Sequence, residues 1–179
     1  MKTIWVVRHA ETVWNALGKI SGWHDVELSE LGRRQAQALA PLLAGQAFTQ
    51  VWSSDLQRAR DTARIAYGEP QMDRRIRELD FGSLEGQIWS ELPQEQQDMV
   101  HQFHDECAPG GETIRTLEER VFHFLDELSP GTHLIFAHGG VIRAILRQVQ
   151  ADQFVPSTSF GVVDWTSRQL LRLELGPHF

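Results

Sequence analysis

Two histidines stand in the same setting. Arg8-His9-Ala10 closes a β-rich run from Thr3 to Arg8, and Ala137-His138-Gly139-Gly140 closes a second from His133 to Ala137. In open α/β sheets, ligands collect at the carboxyl ends of the strands. Two parallel neighbours would therefore bring His9 and His138 to one edge. Arg8 arrives beside His9, and Arg58 falls one helical turn beyond a third short strand, Val51 to Ser53. Two imidazoles and two guanidiniums, with no carboxylate or thiolate to balance them, repel a divalent cation. They suit a phosphate dianion, which arginine grips through paired charge-assisted hydrogen bonds. A lone strand-end histidine is more often structural, and a lone helix arginine is usually solvated. The joint placement at three strand ends is what points to chemistry.

The elements that must position these groups follow from periodicity. Ile4-Trp5-Val6-Val7 is a continuous apolar run, as in a central strand buried on both faces. Ser29 is placed to cap a helix, with Glu30 complementing its dipole and Leu31, Ala38, Leu39 and Leu42 at helical spacing. Ser54 or Asp55 is placed to cap the next, which carries the small-residue stripe Leu56, Ala59, Ala63 and Ala66. Thr113 caps a helix with Leu117, Val121, Phe124 and Leu128 on one face, and Gly139-Gly140 opens another. Residues 160–165 and 169–175 read as a terminal hairpin. Alternating strands and helices predict an α/β fold, with helices packed on a largely parallel sheet. The stretch from Arg74 to Gly111 is the least regular, with a polar helix expected between Ile88 and His104. A segment of that kind is a natural cap over a site. One domain is expected over residues 1–179, with a cap insertion over roughly residues 83–112.

Composition narrows the partners. With 41% hydrophobic and 23% charged residues the chain reads as globular, and its net charge of −7 argues against nucleic-acid or anionic-membrane surfaces. It leaves room for a small anionic substrate in one positive pocket. Cys107 is the only cysteine, which excludes an intramolecular disulfide. No apolar run approaches the roughly 20 residues that span a bilayer, and the N-terminal run is too short for a signal segment. A cytoplasmic location is expected. His101, His104 and Cys107 share helical spacing, yet the polar face of a cap helix is the preferred reading; no metal or cofactor is expected. Trp14, Trp23 and Trp89 fall in loops that could flank the pocket, whereas Trp5, Trp52 and Trp165 are read as core. The terminal hairpin offers an edge strand, through which a homodimer is one arrangement open to the chain.

The run Arg8-His9-Ala10-Glu11-Thr12-Val13-Trp14-Asn15 resembles the signature of the histidine phosphatase (phosphoglycerate mutase-like) superfamily. The resemblance continues through Ser21-Gly22-Trp23, residues 25–32, residues 53–59, Glu78 to Gly86, residues 109–113 and His138-Gly139-Gly140, in the family's order. Within the superfamily the chain looks most like the short branch that includes α-ribazole-5′-phosphate phosphatase. Ala10 stands where the family commonly has glycine.

This resemblance implies a three-layer α/β/α sandwich and metal-independent phosphoryl transfer. His9 is then the nucleophile, its other ring nitrogen fixed by a backbone carbonyl. Arg8, Arg58 and His138 hold the equatorial oxygens, the arginines keeping His9 unprotonated. The Gly139 amide, Asn15, Ser21 and Gly22 are implied further phosphate contacts. Glu78 matches the acid/base position, with Glu85 its competitor. The implied substrate is a small phosphorylated metabolite, α-ribazole 5′-phosphate or a similar one. Phosphoglycerate mutases carry an extra basic segment, and no comparable arginine pair lies between Gly86 and Pro109. The alternatives are a broad sugar or glyceryl phosphatase, a mutase-like enzyme, a protein phosphohistidine phosphatase, or a non-catalytic phosphate-binding module.

Overall fold

A computed structural model describes residues 1–102, 105 and 107–177. Strand β1 (Lys2–Arg8) is followed by a short helix α1 (Val13–Ala16) and by α2 (Glu30–Leu43). Strand β2 (Gln50–Ser53), helix α3 (Gln57–Ala66) and the short strand β3 (Gln71–Met72) come next. Helix α4 (Gln94–Gln102) lies in the irregular stretch, and α5 (Ile114–Glu127), β4 (Gly131–Ala137) and α6 (Gly139–Arg147) follow it. The antiparallel pair β5 (Phe160–Asp164) and β6 (Gln169–Glu174) completes one sheet of order β3-β2-β4-β1-β5-β6. Pairing is parallel for β2 with β3, β2 with β4 and β1 with β4, and antiparallel for β1 with β5 and β5 with β6. The sheet is therefore mostly parallel, with the hairpin closing one edge.

Period-two alternation along the strands makes two cores. Ile4, Val6, Ile135, Ala137 and Val163 face α5 and α6 through Leu117, Val121, Phe124, Val141 and Ile145. Trp5, Val7, Leu134, Phe136 and Phe160 face α2 and α3 through Leu39, Leu43, Ala63 and Ala66. This is the expected α/β/α arrangement. Each large apolar side chain so buried contributes about 1.5–3 kcal/mol, which holds the strand ends in fixed register.

Several local expectations shift for identifiable reasons. Ser29 does cap α2, accepting from the Gly32 amide at 2.9 Å. The buried face is nevertheless Gly32, Gln35, Ala36, Leu39 and Leu43, a rotation away from Leu31, Ala38 and Leu42. Gly32 packs directly on the Glu11 backbone, and Gln35 Oε1 accepts from the Glu11 amide at 2.9 Å. The helix is turned to support the loop that follows β1. Helix α3 begins one residue later than an Asp55 cap would place it and two later than a Ser54 cap, with Asp55 held instead by Arg77 at 2.6–2.7 Å. Its first amides are served by Ser54 Oγ and, from another loop, by Asp25. The cap helix starts at Gln94, because Pro93 forces Leu92 into an extended conformation. His104 lies outside the described residues.

Candidate active site

Strand register assembles the site. Arg8 pairs with Ala137 and Ser53 with Phe136, so β1, β4 and β2 end level with one another. The His9 amide donates to the Ala137 carbonyl at 2.9 Å, continuing the ladder one residue past the strand. His9 and His138 consequently face each other, with ring centroids 5.3 Å apart. Arg58, in the first turn of α3, reaches the same point from β2 and is fully buried. Its Nη atoms donate to the carbonyls of Gly22 (2.6 Å) and His24 (3.0 Å). Arg8 donates through Nη1 to the Val155 carbonyl and lies over the Phe154 ring.

Several polar atoms around the two histidines are left without partners. Nδ1 of His9 donates to the Ala10 carbonyl at 2.7 Å, so the lone pair sits on Nε2. Arg8 Nε, Arg58 Nε, both ring nitrogens of His138 and Ser21 Oγ are buried and without a hydrogen-bond partner among the described residues. Buried polar atoms are nearly always satisfied in a folded protein, so such a cluster marks the seat of a polar ligand. Burial first, and then the Arg58 and Arg8 guanidiniums, hold His9 well below its ordinary 6.5. His138 is pushed down in the same way, by burial and then by Arg58, His9, Arg120 and Arg8. Arg58 is itself lowered to about 10, chiefly by burial.

A cavity of about 590 Å³ opens over Arg8, His9 and Ser21. Arg8, His9, Asn15, Ser21, Glu78 and Gly139 line its polar end. Ile20, Leu84, Trp89, Met99, Ile114 and Phe154 supply its apolar wall, and Lys19, Asp80, His101, Glu112 and Arg143 also border it. Glu78 is buried at the edge of the polar end, its Oε1 accepting from the Leu79 amide (2.8 Å) and the Gly140 amide (3.0 Å). Its backbone is pinned as well: Arg120 Nη2 and Trp23 Nε1 both donate to the Glu78 carbonyl at 2.8 Å.

The remaining expected residues separate. Asn15 lines the cavity, with its carboxamide oxygen taken by Thr12, so its amide nitrogen is the donor left. Gly139 lines it as the first residue of α6. Gly22 does not line it: its carbonyl goes to Arg58, and it lies against Glu85. Glu85 is not on the cavity wall either, and its carboxylate accepts from two backbone amides. Arg58 and His138 lie behind the wall. Ala10 packs its methyl with Leu28 and Ala36, away from the phosphate end. Trp14 lies on α1 rather than in a loop, and of Trp14, Trp23 and Trp89 only Trp89 lines the cavity among the described residues. Among the described residues no three His, Cys, Asp or Glu side chains form a metal-binding group. No helix described is long and apolar enough to cross a membrane.

Arg120 and Thr62 act on the site and carry no signal in the sequence; Asp25 also acts on it and lies in the family-like run of residues 25–32, which gave it no role. Arg120 on α5 also binds Glu112 at 2.7 Å and the carbonyls of Arg75 and Arg77. Thr62 bridges the Ala10 amide to the Arg58 carbonyl. Their partners are distant in sequence, and only the tertiary fold brings them together.

The sheet order, with two histidines and the arginines Arg8 and Arg58 gathered at its edge, is the arrangement of a phosphoglycerate mutase-like fold. Residues 4–175 match the histidine phosphatase superfamily (branch 1), and the chain belongs to that family. The probable phosphoglycerate mutase GpmB of Yersinia pestis (strain Pestoides F) is 38% identical, over 82% of this chain and 74% of its own. The crystal structure of TTHB049 from Thermus thermophilus superposes with a TM-score of 0.88 at 38% identity, covering 97% of this chain and 99% of that one. A phosphoglycerate mutase from the same organism superposes with a TM-score of 0.87 at 40% identity, covering 96% and 97%. The family and these relatives support phosphatase or mutase activity.

The two depressed histidines carry a stability cost at acid pH. The unfolded chain protonates them below about pH 6.5, while the folded chain holds them neutral to lower values. Below that point the unfolded state binds more protons. Unfolding free energy is therefore expected to fall as pH drops below about 6.5, by about 1.4 kcal/mol per pH unit for each histidine. Above pH 6.5 their contribution is fully present. Urea titrations between pH 7.5 and 5.5 read this slope, and a His9→Gln/His138→Gln double variant should flatten it. An unchanged slope in the double variant would place its origin elsewhere.

Proposed function

We propose that the chain hydrolyses phosphomonoesters through a phosphohistidine on Nε2 of His9. The substrate is a small metabolite whose alcohol carries an apolar or aromatic part, and α-ribazole 5′-phosphate is the foremost candidate. The observation that carries this reading is the convergence of partnerless buried donors beside a histidine with a free lone pair. Nε2 attacks phosphorus in line, forming the N–P bond as the ester P–O bond breaks. Arg8 Nε, Arg58 Nε and His138 meet the equatorial oxygens, where charge is stabilised in the transition state. Ser21, Asn15 and the Gly139 amide add donors at the rim. Glu78, with Oε1 held by the Leu79 and Gly140 amides and Oε2 more loosely by Gly140 at 3.2 Å, gives its proton to the leaving alkoxide from Oε2. It then takes one from the water that breaks the N–P bond and releases phosphate.

Several relatives are named phosphoglycerate mutases, so mutase chemistry is the second reading. A mutase must hold a second anionic group of its substrate. Residues 87–108 contain no arginine or lysine, and the wall they supply is Trp89, Met99, Val100, His101, Cys107 and Ala108, with one histidine among apolar groups. Arg143 and Lys19 also reach the cavity, Arg143 bound to Asp152 at 2.9 Å and Lys19 with its ammonium over the Trp14 ring. An apolar alcohol fits that wall better than a second phosphate, which favours hydrolysis.

Phosphate release in excess EDTA, from α-ribazole 5′-phosphate and a panel of sugar, glyceryl and aryl phosphates, tests the proposal. Interconversion of 2- and 3-phosphoglycerate faster than hydrolysis would overturn it, and loss of activity in EDTA would overturn the metal-free mechanism. Glu78→Gln is expected to slow an alkyl phosphate by about 10²–10³-fold, within the range for general acid catalysis. On p-nitrophenyl phosphate, whose leaving group needs little proton help, the loss should be under about tenfold. Equal losses on both would remove Glu78 from the acid role.

A further inference from the structure

Glu85 resembles a second acid in the sequence, but the structure gives it different work. Its two carboxylate oxygens accept from consecutive backbone amides, Trp23 at 2.7 Å and His24 at 2.9 Å. The carbonyls in the same turn, those of Gly22 and His24, are the two acceptors of the Arg58 guanidinium. The same loop supplies Asp25, which accepts from the Gln57 amide at 2.7 Å and so caps the helix on which Arg58 rides. It also supplies Trp23 Nε1, which fixes the Glu78 carbonyl. Gly22 belongs to this device, because a Cβ there would overlap Oε1 of Glu85. With both Nη atoms of Arg58 held by the loop, Nε is the guanidinium nitrogen without a partner, and each Nη keeps its second N–H.

We infer that Glu85 is a positioning residue that aims Arg58 at the phosphate through the backbone of residues 22–24. The inference rests on the phosphoryl site proposed above. A side chain that fixes a ligating group from behind typically matters by about 10–100-fold when removed, and displacement of a reacting group by about 1 Å costs on the order of 10²-fold. Because the effect passes through Arg58, it should fall on phosphate recognition and leave proton transfer alone.

Glu85→Ala, Glu85→Gln and Gly22→Ala are the variants, each checked for folding by circular dichroism. Inorganic phosphate binding is measured by calorimetry, and kcat and KM are measured on p-nitrophenyl phosphate and on an alkyl phosphate. Glu85→Ala and Gly22→Ala should weaken phosphate binding by about 10–100-fold and slow both substrates equally. Glu85→Gln retains one acceptor oxygen and should lose about two- to tenfold. If Glu85→Ala does not fold, Glu85→Gln carries the same comparison. An Arg58→Ala/Glu85→Gln double variant should be no slower than Arg58→Ala alone, as expected when one residue acts through the other. A loss confined to the alkyl phosphate would make Glu85 an acid and overturn the inference, as would additive losses in the double variant. Unchanged phosphate binding in Glu85→Ala would also overturn it. The two readings fail separately. Wild-type protein that binds phosphate without turnover, with binding still weakened in Glu85→Ala, removes the phosphatase and keeps the positioning role.

Discussion

His9→Ala is expected to lower turnover by about 10⁴-fold or more and to abolish a phosphoenzyme that wild type forms. Removing the nucleophile from a covalent mechanism typically costs about 10⁴–10⁶-fold, because no other route uses the same positioned donors. The geometry makes this residue hard to replace. Its Nδ1–H is committed to the Ala10 carbonyl, its ring is buried, and the nearby guanidiniums keep it unprotonated. Each of these leaves Nε2 as a lone pair facing the cavity. Rapid quench with ³²P-labelled substrate should trap label on wild-type protein as an acid-labile, base-stable phosphoramidate. His138→Gln should slow the reaction yet still take label, which distinguishes a transition-state donor from a second nucleophile. Label on His138, or none on wild type at single-turnover times, would refute the covalent route through His9.

The residues that end strands are legible because their position follows from pattern alone. A continuous apolar run followed by a small residue predicts a buried strand and a backbone turning at the sheet's edge. Both Arg8-His9-Ala10 and Ala137-His138-Gly139 obey that rule. The stripe of Leu56, Ala59, Ala63 and Ala66 likewise faces inward as its spacing requires. The α2 face departs from its leucine spacing because Gly32 and Gln35 are buried for a close approach and a hydrogen bond to Glu11. Side-chain hydrophobicity carries no record of such contacts. The roles of Gly22, Asp25 and Arg120 depend on hydrogen bonds between residues far apart in sequence, and periodicity does not register those. The cap shows the same limit in another form. Its helix reads as polar, and along its length it buries no residue, yet Met99 and Val100 turn toward the cavity and help define what enters.

Arg58→Met is expected to lower kcat/KM by about 10³–10⁵-fold, the range for removing an arginine that stabilises phosphoryl transfer, while changing unfolding free energy by no more than about 1 kcal/mol. The second half follows from what the folded state tolerates to keep this side chain. A buried guanidinium lowered to about 10 is disfavoured, relative to the unfolded chain, by on the order of 3 kcal/mol. Since both states keep it charged at pH 7, that penalty is fully present there. Methionine removes it and refills most of the volume. Against this gain stand the carbonyls of Gly22 and His24, which lose their donors at about 1–3 kcal/mol for each left unsatisfied. The two effects oppose and nearly cancel, as when other buried charges are replaced by apolar isosteres. Ligand linkage supplies the sharper contrast. Phosphate at 100 times its Kd should stabilise wild type by about 2.7 kcal/mol and the variant by far less at the same concentration. Paired urea melts with and without phosphate, run beside the kinetics, read both halves together. A variant that loses activity and several kcal/mol of stability alike would assign Arg58 to the scaffold; one that keeps its stability and loses both turnover and phosphate protection assigns it to the transition state.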